Sequence, residues 1–400
     1  MIRWQDDLQF YCMHFMPYVH LPDDHAKYDS VWVDFSNKHY DPKKGHELYK
    51  RYIAELVLAD RLGYDGLVVN EHHSTAYSMM PSCTVIAAAL IPQTQQAKIC
   101  CFGVPVNLAF PSRVAEEYAM LDVLSGGRLE IAFPLGTGME YWAHPINPAT
   151  ARAKFRESID IIIRAWTEDG PISYDGEFYN YRYLNVWPKP YQKPYPKIAI
   201  VGTGSPETVE FAAQHGWAYS QVFTPKAQQV KTFKHLREMT EKNGFESSPD
   251  KALFGVIVYV AETQEQAERE AREHIRFYFQ DALRTTPRFL APPGYISVDQ
   301  FRQRASVPNV HGDFNWENLT QQWRVAVGTA DHVAESIAGW CEEAQSSRPI
   351  LHHHIGDMPH WKVVKNMTLF AEEVIPKLRP HARRTQGGGQ VRVAAAAGRT

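Results

Sequence analysis

Eight short apolar runs, separated by stretches with helical spacing, predict an α/β fold: a (β/α)8 TIM barrel with insertions. The runs are apolar throughout instead of at every second residue, as strands are when helices cover both faces of a parallel sheet. The chain has 400 residues. A minimal barrel takes about 250, so long loops and tails must hold the remainder. A doubly wound open sheet is the rival architecture, but it usually brings a glycine-rich dinucleotide loop after its first strand, and none is present here.

The first run, residues 8–15, leads into an insertion at 17–45. A helix over 46–62 follows, with Leu48, Tyr52, Ile53, Leu56, Val57 and Leu62 on one face. The second and third strands are expected at 66–70 and 99–106. Leu124-Ser125-Gly126-Gly127-Arg128 stops a helix and feeds a fourth strand at 129–135. Phe155, Ile159, Ile162, Ile163 and Trp166 mark the inner face of a helix over 151–166. A second insertion, 168–196, rich in Tyr, Pro and Gly, precedes the fifth strand at 197–201. Ser205, Pro206 and Glu207 then open a helix as N-cap, first-position proline and first-turn acid. Strands at 217–223 and 253–261 come next, and the eighth is expected at 350–354. Between them a third insertion, 277–323, holds APPG and several aromatics and is long enough to act as a lid. One barrel domain thus spans 1–382, and the low-complexity segment 383–400 is a flexible tail.

Hydrophobic residues at 44% can bury a sizeable core, and 42 basic against 45 acidic residues leave nothing global to attract nucleic acid or an anionic membrane. Five cysteines, two of them adjacent at Cys100 and Cys101, form neither a disulfide framework nor a CxxC knuckle. No basic stretch followed by an apolar segment opens the chain, and the expected location is cytoplasmic.

In a barrel, residues at the carboxyl ends of strands face the active-site mouth. Glu71-His72-His73 follows the second strand, where an imidazole can transfer protons near neutral pH. The plainer alternative is a glutamate paired with a histidine. Val201-Gly202-Thr203-Gly204-Ser205-Pro206-Glu207 combines glycines, the amides of a helix start and the Thr203 and Ser205 hydroxyls, a setting that suits a phosphate. It is equally an ordinary βα turn and matches neither GxGxxG nor a Walker loop. Gly136-Thr137-Gly138, then Met139-Glu140-Tyr141-Trp142, caps the fourth strand. His352-His353-His354 alternate faces on a strand and lack a carboxylate at ligand spacing, so no metal is expected. Cys12, His14 and His353 are candidates for lining a substrate pocket. No GxSxG elbow appears, which disfavours nucleophilic hydrolysis.

The stretches YDGLVVNEHHS, PVNLAFPSRVAEEYAMLDVLSGGRLEIAF, GTGMEY, IAIVGTGSPETVEFAAQHGWAYS and LFAEEVIPKLRP, in that order, resemble the bacterial luciferase-like flavin-dependent monooxygenases. The resemblance covers most of residues 50–225 and returns near the C-terminus. It implies a barrel that takes reduced FMN from a separate flavin reductase and reacts it with O2 to oxygenate a small apolar organic substrate. A homodimer is implied as well. His72 matches the family's catalytic histidine, and Thr203, Gly204 and Ser205 match its phosphate turn. Asn107 falls where the third strand meets the flavin ring, with Gly136, Thr137 and Tyr141 on the loop beside it. Many relatives carry an Arg-Gly pair where this chain has Leu135-Gly136, a loss of charge that suits a flavin borrowed and returned. Such chemistry needs an apolar, closable pocket, which abundant aromatics and long insertions can supply. Two alternatives stay open: a deazaflavin- or NAD(P)H-linked hydride-transfer oxidoreductase on the same barrel, and a non-catalytic flavin-binding protein. A metal-dependent hydrolase built on His72, His73 and the late histidines is a more distant one.

Overall fold

The computed structural model describes residues 8–295, 302 and 315–379, so the expected tail at 383–400 and part of the third insertion lie outside the described residues. Eleven strands are described: β1 (Tyr11–His14), β2 (Gly66–Asn70), β3 (Lys98–Phe102), β4 (Leu129–Pro134), β5 (Ile172–Asp175), β6 (Asn180–Leu184), β7 (Lys197–Val201), β8 (Ala218–Gln221), β9 (Ala252–Val260), β10 (Val325–Gly328) and β11 (Arg348–His352). Eight of them close a parallel ring in the order β1-β2-β3-β4-β7-β8-β9-β11, with β11 returning to β1. Each of the eight apolar runs supplies one ring strand, and the fold is the expected (β/α)8 barrel.

Three strands have no counterpart in the sequence reading. β5 and β6 pair as an antiparallel hairpin inside the second insertion, with mostly exposed or half-buried residues and hence no apolar run. β10 is a four-residue strand that extends the same edge of β9 that β8 occupies lower down: β8 pairs with Ala252 to Phe254, β10 with Ile257 to Val260. The last ring strand ends at His352, so His353 and His354 lie beyond it. The first long helix begins at Pro42, earlier than expected, because Asp41 accepts the Lys43 N–H at 2.9 Å and proline occupies the first position.

Alternation along the strands sorts side chains between the barrel axis and the helix layer. At the amino ends of the strands, Tyr11, Cys100, Glu130 and Arg348 meet on the axis. Arg348 pairs with Glu130 and donates to the Tyr11 hydroxyl at 2.5 Å, and Tyr11 donates to Glu130 at 3.2 Å. Gly66 makes room for this plug, since a Cβ there would sit 2.2 Å from the Tyr11 ring.

The described part of the third insertion lies against the first. Arg284 donates to the carbonyl oxygens of His25, Ala26 and Tyr28 at 2.8–3.2 Å, and His25 Nε2 meets Asp281 at 2.9 Å.

Glu130→Ala should cost about 3–5 kcal/mol, because Arg348 is left buried without its counter-charge. Urea unfolding reads this as a lowered midpoint, and an unchanged midpoint contradicts it. Burial raises the Glu130 carboxyl pKa, but the Arg348 guanidinium outweighs it and holds the group below its ordinary value. The ion pair therefore stabilises the fold above the unfolded-state carboxyl pKa of about 4.3, and that contribution disappears as pH falls through the lower folded value. The Glu130→Ala protein should show a shallower loss of stability over that acid range.

Candidate active site

β2 delivers Glu71, His72 and His73 to the carboxyl rim of the barrel. Glu71 turns away to fasten the loop: its carboxylate accepts the Cys83 N–H at 3.0 Å and meets His73 Nε2 at 3.2 Å. Burial lowers the His73 pKa, but the Glu71 carboxylate more than offsets it and the net shift is upward. His72 turns to a residue 68 positions away, its Nδ1 lying 2.7 Å from Oε1 of Glu140. Glu140 is 2% exposed, and its other oxygen accepts the Thr137 N–H at 2.6 Å. A carboxylate accepts, so Nδ1 of His72 is the donor in this pair and Nε2 is the nitrogen the pair does not use. Glu140 was not among the expected site residues. Its only sequence signal is its place three residues after Thr137, whose N–H it accepts; the short helix Glu140–Ala143 has Met139 as N-cap, so the pair is not a capping box.

Trp32 and Tyr77 pack against this histidine and link it to further aromatic side chains. Trp32 meets the His72 ring edge-on at 4.9 Å and stacks on Tyr77 at 4.2 Å. The Tyr77 hydroxyl pairs with that of Tyr278 at 2.8 Å. Phe15, one residue past β1, lies 5.5 Å from Tyr77, and Phe223 lies 5.4 Å from Tyr278. His352 stacks against Phe15 and Phe223, which also stack on each other at 5.8 Å.

The loop after β4 and the turn after β7 leave neighbouring strands at the same end, where Pro134 pairs with Val201. Tyr141 accepts from Asn107 Nδ2 at 2.8 Å and donates to the Leu135 carbonyl at 2.7 Å, while Tyr295 donates to the Gly136 carbonyl at 2.7 Å. Asn107, Gly136, Thr137 and Tyr141 thus share one cluster with His72 through Glu140. In the β7 turn, Gly204 has φ +92°, and its N–H donates to the Tyr219 hydroxyl at 3.1 Å. A Cβ on Gly204 would sit 2.4 Å from Thr232 Oγ1 and 2.7 Å from Gln221 Nε2. Ser205 makes no side-chain cap to the helix Pro206–Gln214; its hydroxyl pairs with that of Thr208 at 2.7 Å. Glu207, in the first turn, is met by Arg156 at 2.9 Å and by Arg152 at 3.6 Å.

Several polar atoms around this rim are buried without partners. They are both side-chain atoms of Asn70 and of Gln221, Oγ of Ser220, Oγ1 of Thr232 and Thr137, Oδ1 of Asn107 and both ring nitrogens of His352. Native interiors leave few such groups, so their concentration here is what a polar ligand at the rim would satisfy.

Cys12, His14 and His353, expected at a substrate pocket, make their contacts in the helix layer. His14 meets Glu55 at 2.9 Å and stacks on His354, and His353 Nε2 meets the Tyr64 hydroxyl at 2.9 Å. Cys12, two residues before His14, shares its side of β1. Burial lowers the pKa of His14, His353 and His354. His14, Glu55 and His354 do bring ligand atoms within 4.8 Å of one another. Yet His14 Nδ1 accepts the Met16 N–H at 2.8 Å, so Nε2 carries the proton it shares with Glu55, and Arg51 already meets that carboxylate at 2.8 Å. The lone pair a metal needs on His14 is committed elsewhere.

A family model described as luciferase-like monooxygenase matches residues 30–346. The chain is 27% identical over 250 residues to the oxygenase component of flavin-dependent trigonelline monooxygenase from Acinetobacter baylyi, an alignment covering 60% of this chain and 66% of that one. It spans about half to two thirds of the length of the first curated relatives it matches. Among solved structures, the oxygenating constituent of 3,6-diketocamphane monooxygenase from Pseudomonas putida, in complex with FMN, superposes with a TM-score of 0.72 at 19% identity, over 92% of this chain and 99% of that one. An F420-dependent secondary alcohol dehydrogenase superposes with a TM-score of 0.67 at 16% identity, over 93% and 99%. These likenesses share the barrel. By the match of its family model over most of the sequence, the chain belongs to the luciferase-like monooxygenases.

Proposed function

We propose that the protein is the oxygenase of a two-component system, taking reduced FMN from a separate reductase and using it with O2 to oxygenate a small, largely apolar organic substrate. The observation that carries this reading is the meeting, at one barrel rim, of the His72–Glu140 pair with a glycine turn and a set of unpaired buried polar atoms. The residues fit the group. Thr203, Gly204 and Ser205 would hold the phosphate over Thr232 and Gln221, while Asn70, Asn107, Ser220 and Thr137 offer the partners a flavin ring requires. Arg152 supplies the positive charge that Leu135 does not, since it stands beside Glu207 at the start of the helix that follows the turn.

Held there, reduced FMN would supply the two electrons needed to activate O2, so that one oxygen atom could enter the substrate and the other leave as water. His72 Nε2 accepts or returns the proton this exchange requires, with Glu140 fixing the tautomer. Trp32, Tyr77, Phe15, Phe223 and Tyr278 keep water from the rim, and the third insertion covers it through Tyr278 and Tyr295. No described helix is long and apolar enough to cross a membrane, in keeping with a cytoplasmic enzyme. A homodimer would cover Val85 and Leu124, 65% and 59% exposed on the adjoining helices Cys83–Leu90 and Pro111–Leu124.

Photoreduced FMN should bind under anaerobic conditions, and admitting O2 with a substrate panel should yield an oxygenated product. Turnover without O2 would point instead to hydride transfer, and flavin bound without any O2 uptake to a storage protein. With a substrate so found, His72→Ala should lower turnover roughly 100-fold, and Glu140→Leu, which removes the Nδ1 acceptor, about tenfold. Near-normal turnover would reject that residue's role. Arg152→Ala should weaken binding of FMN but not of riboflavin, which lacks the phosphate; equal losses by titration would count against a phosphate contact. Sedimentation of Leu124→Asp should show monomer where the parent protein shows dimer.

A further inference from the structure

We infer that His352 is a hydrogen-bonding group that selects an aromatic substrate carrying a hydroxyl or carbonyl over a hydrocarbon of the same shape. This rests on the reading of the rim as an oxygenase site. His352 closes β11, stands level with Ile257 on β9 and is 0% exposed. The Phe15 ring lies 5.2 Å from it at an interplanar angle of 11°, and the Phe223 ring 5.0 Å away at 29°. The two phenyl rings also stack on each other at 5.8 Å, so they gather beside the imidazole and do not sandwich it.

Neither nitrogen has a partner. Among the described buried histidines only His352 has both left open: His14 holds Met16 and Glu55, His72 holds Glu140, and His353 holds Tyr64. Burial, with repulsion from His353 and His14, brings its pKa down to about 3, so the ring is neutral at physiological pH and offers one N–H donor and one lone pair. Leaving both unmet carries a desolvation penalty that a ligand with an oxygen able to donate or accept would remove. The Trp32 indole N–H is a second unpaired donor of the same enclosure. The Tyr77 and Tyr278 hydroxyls are spent on each other. What remains is a set of ring faces and edges, which favours a flat aromatic ligand, and His352 and Trp32 bring unpaired polar atoms to it. A hydrocarbon filling the same space would strand both groups, and sites of this kind discriminate strongly against the analogue that lacks the hydrogen-bonding atom.

Isothermal titration of the whole protein with 2-naphthol and with 2-methylnaphthalene, ligands alike in outline, tests this directly. The parent protein should bind 2-naphthol at least about tenfold more tightly. His352→Leu should abolish the preference, chiefly by weakening 2-naphthol, while His352→Gln, which keeps a donor and an acceptor, should retain part of it and serves if the leucine variant does not fold. Equal affinity of the parent protein for the two ligands, or a preference that survives in folded His352→Leu, overturns the inference. Titration of the same proteins with reduced FMN separates the two claims. Failure of the parent protein to bind FMN sinks the oxygenase reading and leaves the naphthol preference to be judged alone. A leucine variant that loses FMN affinity and keeps its preference for 2-naphthol assigns His352 to the flavin and overturns its role in substrate choice.

Discussion

In a closed parallel barrel each strand residue faces either the axis or the surrounding helices, and neighbours along the chain always face opposite ways. Much of this protein's chemistry follows from that alternation. Tyr11 reaches the axis and joins Glu130 and Arg348, while Cys12 and His14 face the helices and His14 reaches Glu55. Phe15 returns toward the axis to stack on His352, whereas His353, the next residue along, packs against Tyr64 and Phe370. A shift of one residue would exchange a structural histidine for one at the rim.

The two ends of the barrel differ in how far their buried polarity is met, although Arg348 Nε at the base is also unpaired. At the base, the guanidinium of Arg348 faces the carboxylate of Glu130 and the hydroxyl of Tyr11, so opposite charges meet within the low-dielectric interior. At the rim, amides, hydroxyls and an imidazole are buried with nothing to bond. The first arrangement stabilises a fold. The second costs free energy in the empty protein, and such costs are tolerated where a ligand offsets them.

The ring strands were legible because a strand covered on both faces is apolar at every position, and such runs stand out between helical stretches. For the same reason the pattern was silent about direction: a run without alternation carries no mark of which residues point inward, so the contacts of Cys12, His14 and His353 could not be read from it. β10, four residues of VAVG, is too short to show a period, and the hairpin β5–β6 lies on the surface. His72 and the turn at 203–205 were visible as motifs at strand ends. Glu140 carried only a three-residue spacing to Thr137. Trp32, Phe223 and Tyr278 come from separate segments joined only by folding, and no local signal links them.

The fastening of the first insertion to the third reaches beyond packing. Arg284 spans three carbonyl oxygens of the 25–28 segment, and Asp281 holds His25, so the two loops are bound together although 256 residues separate some of the partners. Grafting one of them from a cousin enzyme would strand a guanidinium on one side or three acceptors on the other. In the diversification of such a scaffold, the pair is a single inheritable module, and new specificities at this mouth must be acquired by altering both halves in concert.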